Sequence, residues 1–144
     1  MIAVDTNLLV YAHRSESAFH RQATECIVSL AEGRGAWAIP WPCVHEFFAV
    51  VTNTKIFSPP TSVAVASRAI DAWFASPTLH LLAETAQHWP TMRSLFETSN
   101  VSGARIRDAR IAAICLEHGV RELWSADRDF RRFPALTVRN PLIV

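Results

Sequence analysis

Apolar and polar positions fall into short alternating blocks along the chain. Residues 1–4 (MIAV) are apolar and stop at Asp5, which Thr6 and Asn7 follow. That pattern predicts a buried strand running into a turn. A helix is predicted over about 18–32, ended by Gly33 and Gly35. Residues 36–40 (AWAIP) read as a second buried strand. In residues 42–53 (PCVHEFFAVVTN), Val44, Phe47, Phe48 and Val51 recur at helical spacing, and Pro42 suits a first turn.

The alternation continues to the end of the chain. Residues 56–60 (IFSPP) read as a loop, and 61–74 as a helix capped by Thr61 or Ser62 and halted near Pro77. Residues 78–83 (TLHLLA) are a third predicted strand. Residues 84–96 have helical spacing interrupted by Pro90, which kinks the helix or moves its start. After a loop at 99–103 (SNVSG), residues 108–119 (DARIAAICLEHG) form a strong helix pattern, with Asp108 near its start and Gly119 as its stop. Residues 120–125 (VRELWS) and 136–140 (LTVRN) are the fourth and fifth strands. Strands that are continuous apolar runs, alternating with helices, imply a mostly parallel sheet of about five strands with helices on both faces. The expectation is a single three-layer α/β/α domain over residues 1–144.

Composition narrows the class. A chain of 144 residues, half of them hydrophobic, can build one core without disulfides. A formal net charge of +1 singles out neither nucleic acid nor a membrane surface, and leaves room for a local basic face. Cys26, Cys43 and Cys115 are far apart and make no zinc spacing with the six histidines; they read as small core residues in a reducing compartment. No HExxH and no Ser/His/Asp spacing is present. The chain carries no leader pattern and no apolar run of membrane-spanning length, so a cytoplasmic location is expected.

The acids carry the chemical signal. The chain has five aspartates. Asp71 falls within a helix, whereas Asp5 and Asp127 follow strands one and four, where open α/β sheets bind ligands. Glu46 lies one turn into the helix after strand two. Asp108 approaches strand four, and the path of the 99–103 loop decides whether it reaches the same edge. Singly, each has a plain explanation: Asp5, Asp127 and Asp129 as turn residues, Asp108 as a helix cap, Glu46 as a solvated helix position. Together, four carboxylates at one edge repel each other, and a divalent cation relieves that repulsion. An all-oxygen set favours Mg²⁺, with Mn²⁺ possible in its place, over zinc. No Gly-rich phosphate loop is present.

The segments VDTNLLVYAH (4–13), PCVHEFFAV (42–50), RDARIAAICLEHGV (107–120) and LWSADRDFRRFPALTVRNP (123–141) resemble PIN-domain ribonucleases, and most of all the toxins of VapBC-type toxin–antitoxin systems. The likeness spans nearly the whole chain and implies a Rossmann-like fold. It also implies Mg²⁺- or Mn²⁺-dependent cleavage of tRNA, rRNA or mRNA, growth inhibition, a homodimer and a cognate VapB-like antitoxin. By position, Asp5, Glu46, Asp108 and Asp127 match the family's acidic quartet. Asp5, Asp108 and Asp127 are then the metal ligands, and Glu46 orients or deprotonates the attacking water. Asp129, Thr6, Asn7 and Ser125 match supporting positions. Arg105, Arg107, Arg110 and Arg128, with Arg131 and Arg132, flank the acids and suit either phosphate contact or charge balance. Pro90 and His45 depart from the family pattern.

Two other classes compete. A phosphatase-like hydrolase with a nucleophilic aspartate after strand one wants a second acid where Asn7 stands and a lysine, and Lys55 is the only one. A catalytically inactive PIN-fold binding module would not need the complete acidic set.

Overall fold

Five strands and six helices form in a computed structural model of the chain, which describes residues 1–143. The strands are β1 (Ile2–Val4), β2 (Trp37–Pro40), β3 (Leu79–Leu82), β4 (Glu122–Trp124) and β5 (Val138–Arg139). The helices are α1 (Thr6–His13), α2 (His20–Ala31), α3 (Trp41–Val51), α4 (Val63–Phe74), α5 (His88–Ser99) and α6 (Ile106–Glu117). Every strand pairing is parallel, in the order β3-β2-β1-β4-β5. From the central β1 the chain moves outward through β2 to β3. It then returns to the other side of β1 for β4 and β5. Strand order therefore reverses between β1 and β4, and a crevice opens over their carboxyl ends.

The first correction to the sequence reading is α1. Residues 5–7 were expected to turn, yet a helix begins at once, with the Asp5 carboxylate accepting from the Thr6 N–H. Leu8, Leu9 and Val10 are consecutive and all buried, because α1 packs against both α2 and α3. A helix covered on several sides shows no 3.6-residue stripe, so the periodicity signal fails there. Of the two alternatives for Pro90 the moved start holds: α5 begins at His88 and is not kinked there. Pro90 is the third residue of that helix, where an N–H would have no helical acceptor anyway. A 3₁₀ turn at Gly103–Arg105 leads into α6, so Asp108 lies inside the first turn of that helix, not at its cap. Gly119, at φ 65°, closes α6 in the left-handed conformation that glycine adopts without strain. Ser62, not Thr61, caps α4. Strands four and five are shorter than expected.

The core lies on both faces of the sheet and includes Trp37, Ile39, Phe47, Ile111, Ile114 and Leu123. Phe47 joins three helices, meeting His13 of α1 and Trp73 of α4 edge-on. Cys43 and Cys115 are buried core residues, as expected. After β4 a 3₁₀ helix (Arg128–Arg132) dips back into the core through Phe130, which is 1% exposed. That anchor fixes the segment carrying Asp127 and Asp129. Among the described residues no helix is long and apolar enough to cross a membrane.

Candidate active site

Asp5 sits at the strand-order reversal, one residue past β1, its N–H bonded to the Trp124 carbonyl of β4 at 3.0 Å. Its carboxylate is buried and held on every side. Oδ1 accepts from the Thr6 N–H (2.8 Å) and from the Cys43 thiol (3.7 Å). Oδ2 accepts from the Ser125 hydroxyl (2.6 Å) and the Asn7 amide (3.3 Å). Burial nevertheless pushes its pKa up from 3.8 to about 6; the hydrogen bonds from Ser125 and Thr6 oppose that shift, and the Glu46 charge adds to it. An acid so placed is under-compensated for its charge.

Ser125 and Asn7 tie the ends of β1 and β4 together. The Ser125 hydroxyl also accepts from the Asp127 N–H at 3.0 Å, and Asn7 Oδ1 accepts from the Ala126 N–H at 3.2 Å. Asp127 Oδ1 accepts from the Asp129 N–H at 2.9 Å, capping the 3₁₀ helix. Asp127 thus caps a turn, as the plain reading has it, and also lines the cleft. Removing the Ser125 hydroxyl takes away the largest influence that lowers the Asp5 pKa. Ser125→Ala is therefore expected to raise that pKa further and to destabilise the chain by about 1–2 kcal/mol, the cost of a lost buried hydrogen bond. NMR titration of the Asp5 carboxyl carbon and thermal melts check both; an unmoved or lowered Asp5 pKa would contradict it.

The cleft over this edge has a volume of about 260 Å³ and is lined by Asp5, Asn7, Tyr11, Glu46, Asp108 and Asp127 among others. The path of residues 99–105 thus brings Asp108 to the edge after all. Carboxylate oxygens of Asp108, Asp127 and Asp129 all lie within 4.8 Å of one another. Burial raises the pKa of Asp108, and so do the charges of Asp127 and Asp129, against a smaller lowering by Arg107. The acids form two groups side by side, Asp5 with Glu46 and Asp108 with Asp127 and Asp129. Asp129 belongs to the tight triangle, and Asp5 stands outside it. Thr6 Oγ1 donates to Glu46 Oε2 at 3.3 Å, fixing that side chain over the edge.

The flanking arginines divide. Arg105 pairs with Asp129 (3.4 Å), Arg107 with Glu46 (3.3 Å) and Arg110 with Glu84 (2.7 Å). Arg105 and Arg107 therefore balance site acids, whereas Arg110 is turned to a carboxylate outside the cleft. Arg128 is exposed and pairs with no acid among the described residues. The sequence reading missed two residues at this edge. Tyr11 lies one helical turn after Asn7, a spacing that would have found it had α1 been recognised. Cys43 touches Asp5, and no sequence signal distinguished it from an ordinary core cysteine.

Comparison with known proteins agrees with this fold. The PIN domain family model matches residues 2–136. A VapC ribonuclease of Mycobacterium bovis is 38% identical over 142 residues, covering 99% of this chain and 96% of the relative. Ribonuclease VapC48 of Mycobacterium tuberculosis is 29% identical over 137 residues, 95% of this chain and 94% of its own length. In three dimensions the chain is similar to the VapBC2 complex of Rickettsia felis bound to a fragment of its promoter DNA, with a TM-score of 0.69 and 19% identity over 97% of this chain and 98% of that one. It is likewise similar to VapC20 of Mycobacterium tuberculosis, a sarcin–ricin-loop-cleaving toxin, with a TM-score of 0.67 and 15% identity over 91% and 93%. A five-stranded parallel sheet with its acids at the β1/β4 reversal, matched over almost its entire length, places the chain in the PIN domain family, among the VapC proteins.

Proposed function

We propose that this chain is an endoribonuclease that uses Mg²⁺ or Mn²⁺ and acts as the toxin of a toxin–antitoxin pair. The observation that carries the reading is the acid arrangement: Asp108 and Asp127 line the cleft with Asp5 and Glu46, and Asp129, at its rim, completes a cluster of three carboxylates within 4.8 Å of one another. The donors fit a hard divalent cation. All are carboxylate oxygens, and the pKa values of Asp5 and Asp108 are raised by burial first and by neighbouring carboxylates after it, penalties on the ionised form that a bound cation would offset. Asp5, Asp108 and Asp127, with Asp129 close by, would hold the ion. Bound there, such an ion supplies Lewis-acid polarisation of a phosphoryl oxygen and lowers the pKa of water.

The chain's own residues supply the rest. Glu46, held by Thr6, takes a proton from the attacking water. Oxygen attacks phosphorus in line, the bond to the RNA 3′ oxygen breaks, and that oxygen leaves as a hydroxyl once protonated, with the phosphate on the 5′ side of the downstream fragment. Arg107, paired with Glu46 in the free chain, would turn to meet the incoming phosphate. A homodimer and neutralisation by a VapB-like antitoxin belong to the same reading, which rests on the VapC relatives and the VapBC complexes of like fold. The test is brief expression in a bacterial host followed by sequencing of RNA 5′ ends. New 5′-phosphate ends are expected with the parent chain and none above background with Asp108→Asn. Identical end profiles from the two chains would defeat the proposal.

A further inference from the structure

A second cleft, of about 320 Å³, opens beside the acidic one. Tyr11 and Asp127 line both, so the two adjoin at these residues. Their chemistry differs. The second cleft contains two cations, Arg128 and Arg131, that pair with no carboxylate among the described residues, in contrast to Arg105, Arg107 and Arg110. It also contains an aromatic pair, Tyr11 and Phe19, with ring centroids 5.6 Å apart and planes tilted by 41°. Phe19 is 37% exposed, an apolar ring left partly in water. Asn140 completes the lining. Its Oδ1 accepts from the Leu142 N–H at 3.0 Å, which orients the amide, and among the described residues its Nδ2 protons meet no acceptor.

Resting on the ribonuclease reading, we propose that this cleft seats the base of a nucleotide next to the scissile phosphate of single-stranded RNA. Phe19 and Tyr11 offer the stacking surface, Asn140 a donor to the base edge, and Arg128 and Arg131 contacts to the neighbouring phosphates. Single-strand binding combines these parts elsewhere, aromatic platforms beside a basic track. The shared walls set the order: with a phosphate above Asp127, the adjacent base falls in the neighbouring cleft beside Tyr11. The free cations favour a polyanion over an apolar partner segment.

The test measures binding in the Asp5→Asn background, where the RNA stays intact. The probe is a labelled mixed-sequence eight-nucleotide RNA containing 4-thiouracil, with an abasic oligomer of equal length beside it. Replacing Arg128 and Arg131 together by alanine is expected to weaken RNA binding about tenfold or more. It should also flatten the plot of log affinity against log salt by roughly 1.4, about 0.7 for each phosphate contact on a single strand. The abasic oligomer is expected to bind about tenfold more weakly than the RNA, and Phe19→Ala to remove most of that difference. Photocrosslinks should map to Tyr11 or Phe19. Undiminished binding by the double-arginine variant overturns the proposal and turns the cleft over to an acidic segment of a protein partner. An abasic penalty unchanged by Phe19→Ala, or crosslinks only elsewhere, overturns it as well. Cleavage by the unsubstituted chain is measured separately. Absence of cleavage with both Mg²⁺ and Mn²⁺ counts against the ribonuclease reading and leaves the binding result standing.

Discussion

Asp5→Asn is expected to abolish RNA cleavage, by on the order of a thousandfold, and at the same time to raise the melting temperature of the metal-free chain at pH 7. On the proposed reading, the first effect follows from losing a carboxylate of a site whose ion would supply several kcal/mol of transition-state stabilisation, at tenfold per ~1.4 kcal/mol. The second follows from burial. The Asp5 carboxyl titrates at about 6 in the folded chain against an ordinary 3.8. Between those values the folded chain binds a proton that the unfolded chain has released. The contribution of Asp5 to stability is thus most favourable below about pH 4 and falls as pH rises, and above about pH 6 the ionised group costs about 3 kcal/mol. Asparagine removes that cost and gives up roughly 1 kcal/mol of hydrogen bonding around Ser125 and Thr6. The net gain is about 2 kcal/mol, or about 6 °C for a chain of this size. Melts in chelator at pH 4 and pH 7 check it: the gain should be present at pH 7 and absent at pH 4. A variant that melts lower at pH 7 in chelator, or that still cuts RNA at the parent's rate, would refute the account. The signature separates a site acid from a structural one, because a merely structural Asp5 would lose stability on substitution.

The layered fold could be read from the chain because its strands are uninterrupted apolar runs and most of its helices carry a stripe. Where a helix is buried on several sides, as α1 is through Leu8, Leu9 and Val10, the stripe vanishes and the segment reads as a turn. The acids could be picked out because carboxylates at the ends of apolar runs are conspicuous. Their grouping could not. Asp108 reaches the edge only because a 3₁₀ turn at Gly103–Arg105 sets the phase of α6. Arginine roles were equally hidden, since which of six flanking guanidiniums meets an acid depends on partners as distant in sequence as Glu46 and Glu84. The second cleft draws on Tyr11, Phe19, Arg128 and Asn140, positions that share no local pattern.

Mg²⁺ or Mn²⁺ at a hundred times its dissociation constant is expected to stabilise the folded chain by about 2.7 kcal/mol, roughly 8 °C in melting temperature. Ions bind carboxylates in their ionised form, so binding and proton release are linked. Asp5 holds its proton up to about pH 6, and burial together with Asp127 and Asp129 holds the Asp108 proton above its ordinary range. Affinity should therefore be near its plateau at pH 7 to 8 and fall as pH drops through 6, by up to tenfold per unit for each proton displaced. The melting increment should shrink in step and nearly vanish at pH 4.5. Differential scanning fluorimetry across pH and metal concentration measures it, and calorimetry in two buffers of different ionisation enthalpy counts the protons released. Asp108→Asn combined with Asp127→Asn should abolish the increment while leaving the metal-free fold intact. An increment of equal size at pH 5 and pH 7.5, or one that survives the double substitution, would place the ion elsewhere. On the proposed reading the same linkage accounts for a buried Asp5: an ion bound beside it would offset the charge that burial disfavours.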